Sequence, residues 1–339
     1  MSLIVWARFV FTRVAWGAVA VFGVCALTFV TVRLVANPVD LLAGMNRTPE
    51  TVATLTRSLG LDKPVWVQFA IFIEGLARGD LGTSTSTYLP VSTEIGIRLP
   101  ATVELLLYAT LLATIVGVTL GAAAALSPRS LVDRFSQLVV QLGSSLPSFW
   151  IGLLLTYLFF AVWHVAPAPL GRLDPGMEPP PPVTGLFTID ALLAQDWRVL
   201  GSAVTHLVLP CVTLATVVTP SILQITRTTL SQVLLSDYIR SARSLGLSRA
   251  KIYGYALRAS LVPIVNVLAM TMGWAISGAV LVEVVFGWPG IGYYAVTAMG
   301  AADYAPVVGV VLISSIAYVF LYVIADILSA LIDPRIALR

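Results

Sequence analysis

Charge is scarce in this sequence. Asp, Glu, Lys and Arg make up 11% of its 339 residues, whereas soluble domains carry about a quarter. Only two of the basic residues are lysines, Lys63 in DKP and Lys251 in AKI. Neither follows a glycine, so the Gly-Lys pair of the common phosphate-binding loop is excluded. The two cysteines, Cys25 and Cys211, have no ligand-spaced neighbours and read as small core side chains. His164 and His206 are equally isolated, and none of the four suggests a metal site. With no H-E-x-x-H or G-x-S-x-G run either, the sequence predicts a non-catalytic chain.

What it has instead is apolar length. Hydrophobic residues make up 58% of the chain and the mean hydropathy is +0.92. A hydrocarbon core about 30 Å thick takes roughly 20 apolar residues per helix. Six such runs occur, near Phe9–Val32, Ala101–Leu126, Leu138–Val162, His206–Ile225, Val262–Phe286 and Pro306–Leu331. They are too long and too uniformly apolar for the alternating strands of a membrane barrel. The first is longer than a signal-peptide core and no small-residue cleavage site follows it, so it reads as a retained span. With the N-terminus inside, the inner connections hold twelve Lys and Arg against Asp133, Asp237 and Asp333, while eight basic residues and most acids fall outside. The expectation is an all-α polytopic membrane protein with six transmembrane helices and both termini cytoplasmic.

Three regions follow. Residues 1–36 form the first span. Residues 37–99 form a small helical extracytoplasmic insertion, with Thr48 capping one helix that ends at Leu59 and Gly60 and Pro64 starting another that bears Val65, Phe69, Phe72 and Ile73 on one side. Residues 100–339 hold the other five spans, an outer loop at 164–205 and an inner loop at 226–261. In the outer loop the run Pro179–Pro182 is extended for lack of amide donors, and Thr188 is placed to cap a helix from Ile189 to Ala194. In the inner loop, Tyr238–Leu245 reads as a short helix, Gly246 as its stop, and Ser248 as the cap of a second helix running through Tyr253 and Leu257.

Ionisable residues within spans are functional candidates because burying charge is costly. Glu104, Glu283 and Asp326 qualify, but all sit near span ends, where they are expected to reach water or headgroups. Pro147, Pro210 and Pro220 interrupt spans and are candidate kinks around a pathway or static bends. Glu283, Trp288 and Pro289, in EVVFGWPGIG, join them as candidate pathway or gate residues. A gradient-driven secondary transporter or channel acting without an ATPase remains open from these residues alone, although the mid-membrane charges or inverted repeat it would need are not evident.

The basic inner loop suits a membrane-surface anchor or docking onto a cytoplasmic protein. Its text, YIRSARSLGLSRAKIYGYALRASLVP, resembles the coupling or EAA loop of permease subunits in bacterial ATP-binding-cassette importers. Arg240, Ser241 and Ala242 stand at the Glu-Ala-Ala positions, and Gly246 at the glycine. Arg at the first position is similar to the branch handling dipeptides, oligopeptides and nickel. Further blocks resemble the first, B-type, subunit of that branch: LGLDKPVWVQF, RGDLGTS, LPATVELLLYA, LPSFWIGLLL, HLVLPCVTLA, EVVFGWPGIG and IDPRI. One block departs: where the family tends to read Arg-Asp-Tyr-Pro, Ala302–Pro306 reads ADYAP, so no role of that arginine carries over.

The resemblance implies a type I importer permease fold in the bacterial plasma (inner) membrane. It implies a coupling site at Tyr238, Arg240, Ser241, Ala242, Arg243, Gly246, Leu247 and Pro263, which would dock on ATPases. Implied partners are a second homologous permease, two ATP-binding-cassette ATPases and an extracytoplasmic substrate-binding protein, besides membrane lipid and without nucleic acid. ATP and Mg would be used by those partner subunits, with no cofactor bound by this chain. Alternating access coupled to peptide uptake is the expected activity.

Overall fold

The computed structural model describes residues 3–35, 48 and 62–332. The helix expected between Thr48 and Gly60 and the ending Asp333–Ile336 lie outside them. Among the described residues the regular structure is helical, apart from an isolated bridge between Thr83 and Pro90.

Five helices are long and apolar enough to cross a membrane: α1 (Leu3–Val35), α3 (Val91–Leu126), α7 (Trp197–Leu234), α9 (Arg249–Val285) and α11 (Tyr304–Ile332). The shorter helices are α2 (Val65–Ala77), α4 (Leu131–Ser145), α5 (Ser148–Thr156), α6 (Phe187–Leu193), α8 (Asp237–Ser244) and α10 (Ile291–Gly300). The third predicted span, Leu138–Val162, is instead a sharply bent pair of helices. Its pieces, α4 and then α5 with the π-helical turn Tyr157–Val162, meet at 105°. Pro147 causes the break: it disfavours helical geometry in the residue before it, and Leu146 is extended at φ −97° and ψ 133°.

The core is built on close approach of α3 to α7. Along α3 the residues Ala101, Leu105, Ala109, Ala113, Gly117, Gly121 and Ala125 recur every fourth position, a mostly small stripe on one helix face. A Cβ on Gly117 would fall 2.8 Å from Ile222 Cγ2, and one on Gly121 2.7 Å from the Leu223 carbonyl oxygen. Helix α9 completes the trio, with Ala279, Val282 and, at its C-cap, Phe286 meeting Leu105, Leu207 and Leu214 and Ile264 and Ala275 meeting Ala113 and Ile222. Helix α11 packs on α9, and α1 on α11. On the other side α4 rests on α7, where Gly143 leaves room for Pro220.

Several spans run past their predicted ends. Helix α3 starts at Val91 and carries Pro100 inside it, and α7 continues from Trp197 to Leu234 through Pro210 and Pro220 without interruption. The largest correction is in the inner loop. The second helix predicted after Ser248, within the inner loop, does not end before span five; it is the first part of α9, with Pro263 inside. Ser248 sits at the N-cap as expected but makes no capping bond. Thr188 is not a cap either: α6 begins at Phe187, and the Thr188 hydroxyl points to Glu104 instead.

Carboxylates order the outer segments. Asp190 accepts from the Val183, Thr184 and Gly185 amides and the Thr184 hydroxyl. Burial alone would raise its carboxyl, but these hydrogen bonds outweigh burial and hold it below the ordinary range. Asp303, the aspartate of ADYAP, is buried and accepts from Ser84 Oγ at 2.6 Å and the Ser86 amide at 3.0 Å. It thereby ties the segment before α3 to the turn before α11.

Candidate coupling site and outer clamp

The eight-residue helix α8 stands between two of the longest helices, α7 with 38 residues and α9 with 37. At 1.5 Å per residue each extends about 55 Å. One side chain pins α8 down: Ile239 is fully buried among Ala125, Leu230, Ile252 and Ala256, with Leu247 against the same cluster. The rest of α8 faces out. Tyr238 is 49% exposed and Leu245 79%, while Arg240, Ser241 and Arg243 are exposed and Ala242 is half-buried. The Arg240–Asp237 pair at 3.1 Å is itself solvent-exposed, so it contributes little to stability.

Local hydrogen bonding explains why the chain turns where it does. The Gly246 amide donates to the Arg243 carbonyl and the Leu247 amide to the Ala242 carbonyl, the paired pattern of a Schellman ending. That ending needs a left-handed residue at Gly246, whose φ is +75°. A Cβ there would meet nothing within 4 Å, so only the backbone conformation disfavours substitution. Gly246→Val is expected to cost about 1–2 kcal/mol locally and Gly246→Asn much less, because Asn tolerates this conformation. Uptake by the assembled transporter, measured for both, should fall for Val and stay near wild type for Asn. Equal rates would remove the corner from the mechanism.

At the other end of α9 the predicted gate residues come together as a buried clamp. Glu283, with no exposed surface, accepts from Thr102 Oγ1 at 2.5 Å and the Tyr293 amide at 2.9 Å. Thr102 Oγ1 in turn accepts from the Ile291 amide at 2.9 Å, and Trp288 Nε1 donates to the Ala101 carbonyl at 2.8 Å. The clamp joins α3, α9 and α10. Pro289 lies exposed beside it. Pro147 is exposed at the break before α5, whereas Pro210 and Pro220 are buried within α7, well away from both ends.

Sequence reasoning placed Glu104 and Glu283 within reach of water, and the structure corrects this. Glu104 is 1% exposed and pairs with Arg172 at 2.5 Å, while also accepting from the Thr188 amide at 2.8 Å and hydroxyl at 2.6 Å. Asp326 meets Arg13 at 3.1 Å. At the end of the bundle near α8, Asp133 accepts from Arg227 Nε at 2.6 Å and the Arg129 amide at 2.9 Å. Reasoning from sequence missed Arg172, Asp133 and Arg227, whose partners are distant in the chain, and the exposed Leu235 and Leu245 beside the coupling residues.

Residues 117–338 match the family described as binding-protein-dependent transport system inner membrane component, and residues 6–106 match its N-terminal membrane component. The chain belongs to this family. It is 40% identical over 95% of both chains to the probable D,D-dipeptide transport system permease protein DdpB of Escherichia coli K12. It is 39% identical to the di/tripeptide transport system permease protein DppB of Pseudomonas aeruginosa UCBPP-PA14, over 93% of this chain and 94% of that one. It is 35% identical to the dipeptide transport system permease protein DppB of E. coli K12, over 97% and 98%. This inner membrane component is thus an ATP-binding-cassette permease of the type named in its relatives, and its architecture among the described residues is all-helical, with five apolar spans and one sharply bent apolar helix pair. Permeases of this family are generally non-catalytic membrane subunits.

Proposed function

We propose that this permease forms half of the translocation pathway of an ATP-driven importer of peptides, in the dipeptide and oligopeptide class, and takes its power stroke through α8. The observation that carries this reading is the coupling corner: a short, outward-facing helix fixed by one buried residue between two helices long enough to reach the far side of the membrane. A load applied at Tyr238, Arg240, Ser241, Ala242, Arg243 and Leu247 passes directly into α7 and α9, and Pro263 lies within α9 on that route. The clamp at Glu283 and Trp288 would receive it at the other end.

Both termini and α8 are on the cytoplasmic side in this reading, with 37–99 and 164–205 outside. A second homologous permease completes the pathway, two ATP-binding-cassette ATPases bind and hydrolyse ATP with Mg, and an extracytoplasmic binding protein delivers the peptide. The chain itself holds no cofactor. The acids that a proton-coupled carrier would use do not support that alternative, because Glu104 and Glu283 are occupied by buried partners.

Replacing both Arg240 and Arg243 by Glu tests the docking. Charged contacts at an interface are sensitive to sign, so ATPase retained on copurification should fall by about tenfold or more, a loss of about 1.4 kcal/mol per tenfold, with the permease still folded. Loss of lipid binding with unchanged ATPase retention would make the loop a surface anchor instead. Transport by this chain alone in liposomes would overturn the ATP-driven reading.

A further inference from the structure

Helix α2 belongs to the segment expected outside the membrane, and three observations bear on where it sits. The first is depth. The Phe69 ring lies 5.5 Å from that of Phe22 and 5.3 Å from that of Phe29, and Phe72 is 5.6 Å from Phe29. Phe22 and Phe29 are two turns apart on α1, and both fall inside its apolar window, Arg8–Thr31. Helix α2 therefore packs beside the membrane-crossing part of α1, not beyond its end.

The second is the outward face. Val65, Trp66, Ala70 and Ile71 are exposed, Trp66 by 74%. Charge is confined to the helix ends, with Asp62 and Lys63 before it and the exposed Glu74–Arg78 pair at its close. From Val65 to Ile73 the helix thus presents no charge to its surroundings, as a segment in contact with hydrocarbon requires. The third is polar satisfaction. Gln68, the polar residue in the helix interior, is buried, and its Nε2 donates to the Lys63 carbonyl at 2.7 Å. That closes a group which hydrocarbon could not solvate.

We propose that α2 is a lipid-embedded helix, lying in the extracytoplasmic leaflet with Val65, Trp66, Ala70 and Ile71 against acyl chains. Trp16 and Leu27 on α1, which α2 packs against, are likewise exposed. Only the choice of leaflet rests on the orientation proposed above; the contact with lipid does not.

The test uses the assembled transporter in nanodiscs. Nitroxide labels are placed one at a time at Trp66→Cys, Ala70→Cys, Ile71→Cys and Glu74→Cys, with Leu27→Cys on α1 as the lipid reference and unsubstituted protein as the control for Cys25 and Cys211. Accessibility to oxygen, which partitions into lipid, is compared with accessibility to a water-soluble nickel chelate. Labels at 66, 70 and 71 should match the Leu27 label, with an oxygen-to-nickel ratio several-fold above that at Glu74. High nickel accessibility at 66, 70 and 71 would overturn the proposal in favour of a water-facing helix. Exclusion of both reagents there would overturn it in favour of a protein partner. Any of these results leaves ATPase retention, the test of the coupling reading, unaffected.

Discussion

Arg172→Leu is expected to destabilise the permease by about 3–5 kcal/mol, the usual cost of leaving one member of a buried ion pair alone. Folded proteins have only about 5–15 kcal/mol in total, so the variant should accumulate poorly or melt well below wild type in detergent. The reasons are all at one point. Arg172 and Glu104 have side chains only 5% and 1% exposed. The guanidinium lies 3.5 Å from the centroid of the Phe187 ring and also donates to the Gly185 carbonyl at 3.2 Å. Glu104 keeps its two bonds from Thr188 when Arg172 is lost, but this buried carboxyl group is left without its cation. Arg172→Lys should fall in between, since ammonium cannot reproduce the planar fork or the stacking. The double variant Glu104→Gln, Arg172→Met should recover much of the loss because no uncompensated charge remains. A double-mutant cycle on thermal unfolding measures the coupling; additive losses would show that the pair does not fasten the outer loop.

That pair also shows where sequence reading stops. The spans were legible because twenty apolar residues in a row have one cheap arrangement in a bilayer, and the coupling corner because glycine after a short amphipathic helix has a local meaning. Both are properties of neighbours in sequence. Glu104 meets Arg172 across 68 positions, and Asp133 meets Arg227 across 94; no local pattern announces either. The helix ends were misjudged for a related reason. Hydropathy falls where α7 and α9 leave the apolar region, yet their backbones continue as helix because α8 and α3 pack against those polar ends. Pro147 was visible as a kink but not as a 105° break, since the same residue inside α7 and α9 leaves helices unbroken. The difference lies in what surrounds each proline: Pro210 and Pro220 are buried within packed helix, whereas Pro147 is exposed.

Gly290→Ala should have an effect as large as loss of Arg172, for an unrelated reason. Gly290 has φ −91° and ψ −176°, extended backbone that any residue adopts, so no conformational penalty applies. The obstacle is space. A Cβ there would fall 2.2 Å from Glu283 Oε1 and 2.4 Å from Thr102 Oγ1, both backed by fully packed helices. To admit it, the Thr102–Glu283 hydrogen bond must open, and Glu283 then loses a donor in a site with no exposed surface. Overpacking of this kind costs about 1–3 kcal/mol, and an unsatisfied buried carboxylate adds about as much again. Gly246 is the opposite case, free of steric contact but conformationally demanding, so the two glycines should respond differently to the same substitutions. Asn should be tolerated at 246 and fail at 290. Gly96→Ala provides the control: it is an exposed position in α3 where a Cβ meets nothing within 4 Å, and it should be neutral or stabilising by about 0.5–1 kcal/mol. Thermal unfolding of the three variants decides between packing and flexibility as the purpose of the clamp. A Gly290→Ala protein as stable as Gly96→Ala would mean that the outer ends of α3, α9 and α10 move apart easily, and that Glu283 and Trp288 do not hold them together.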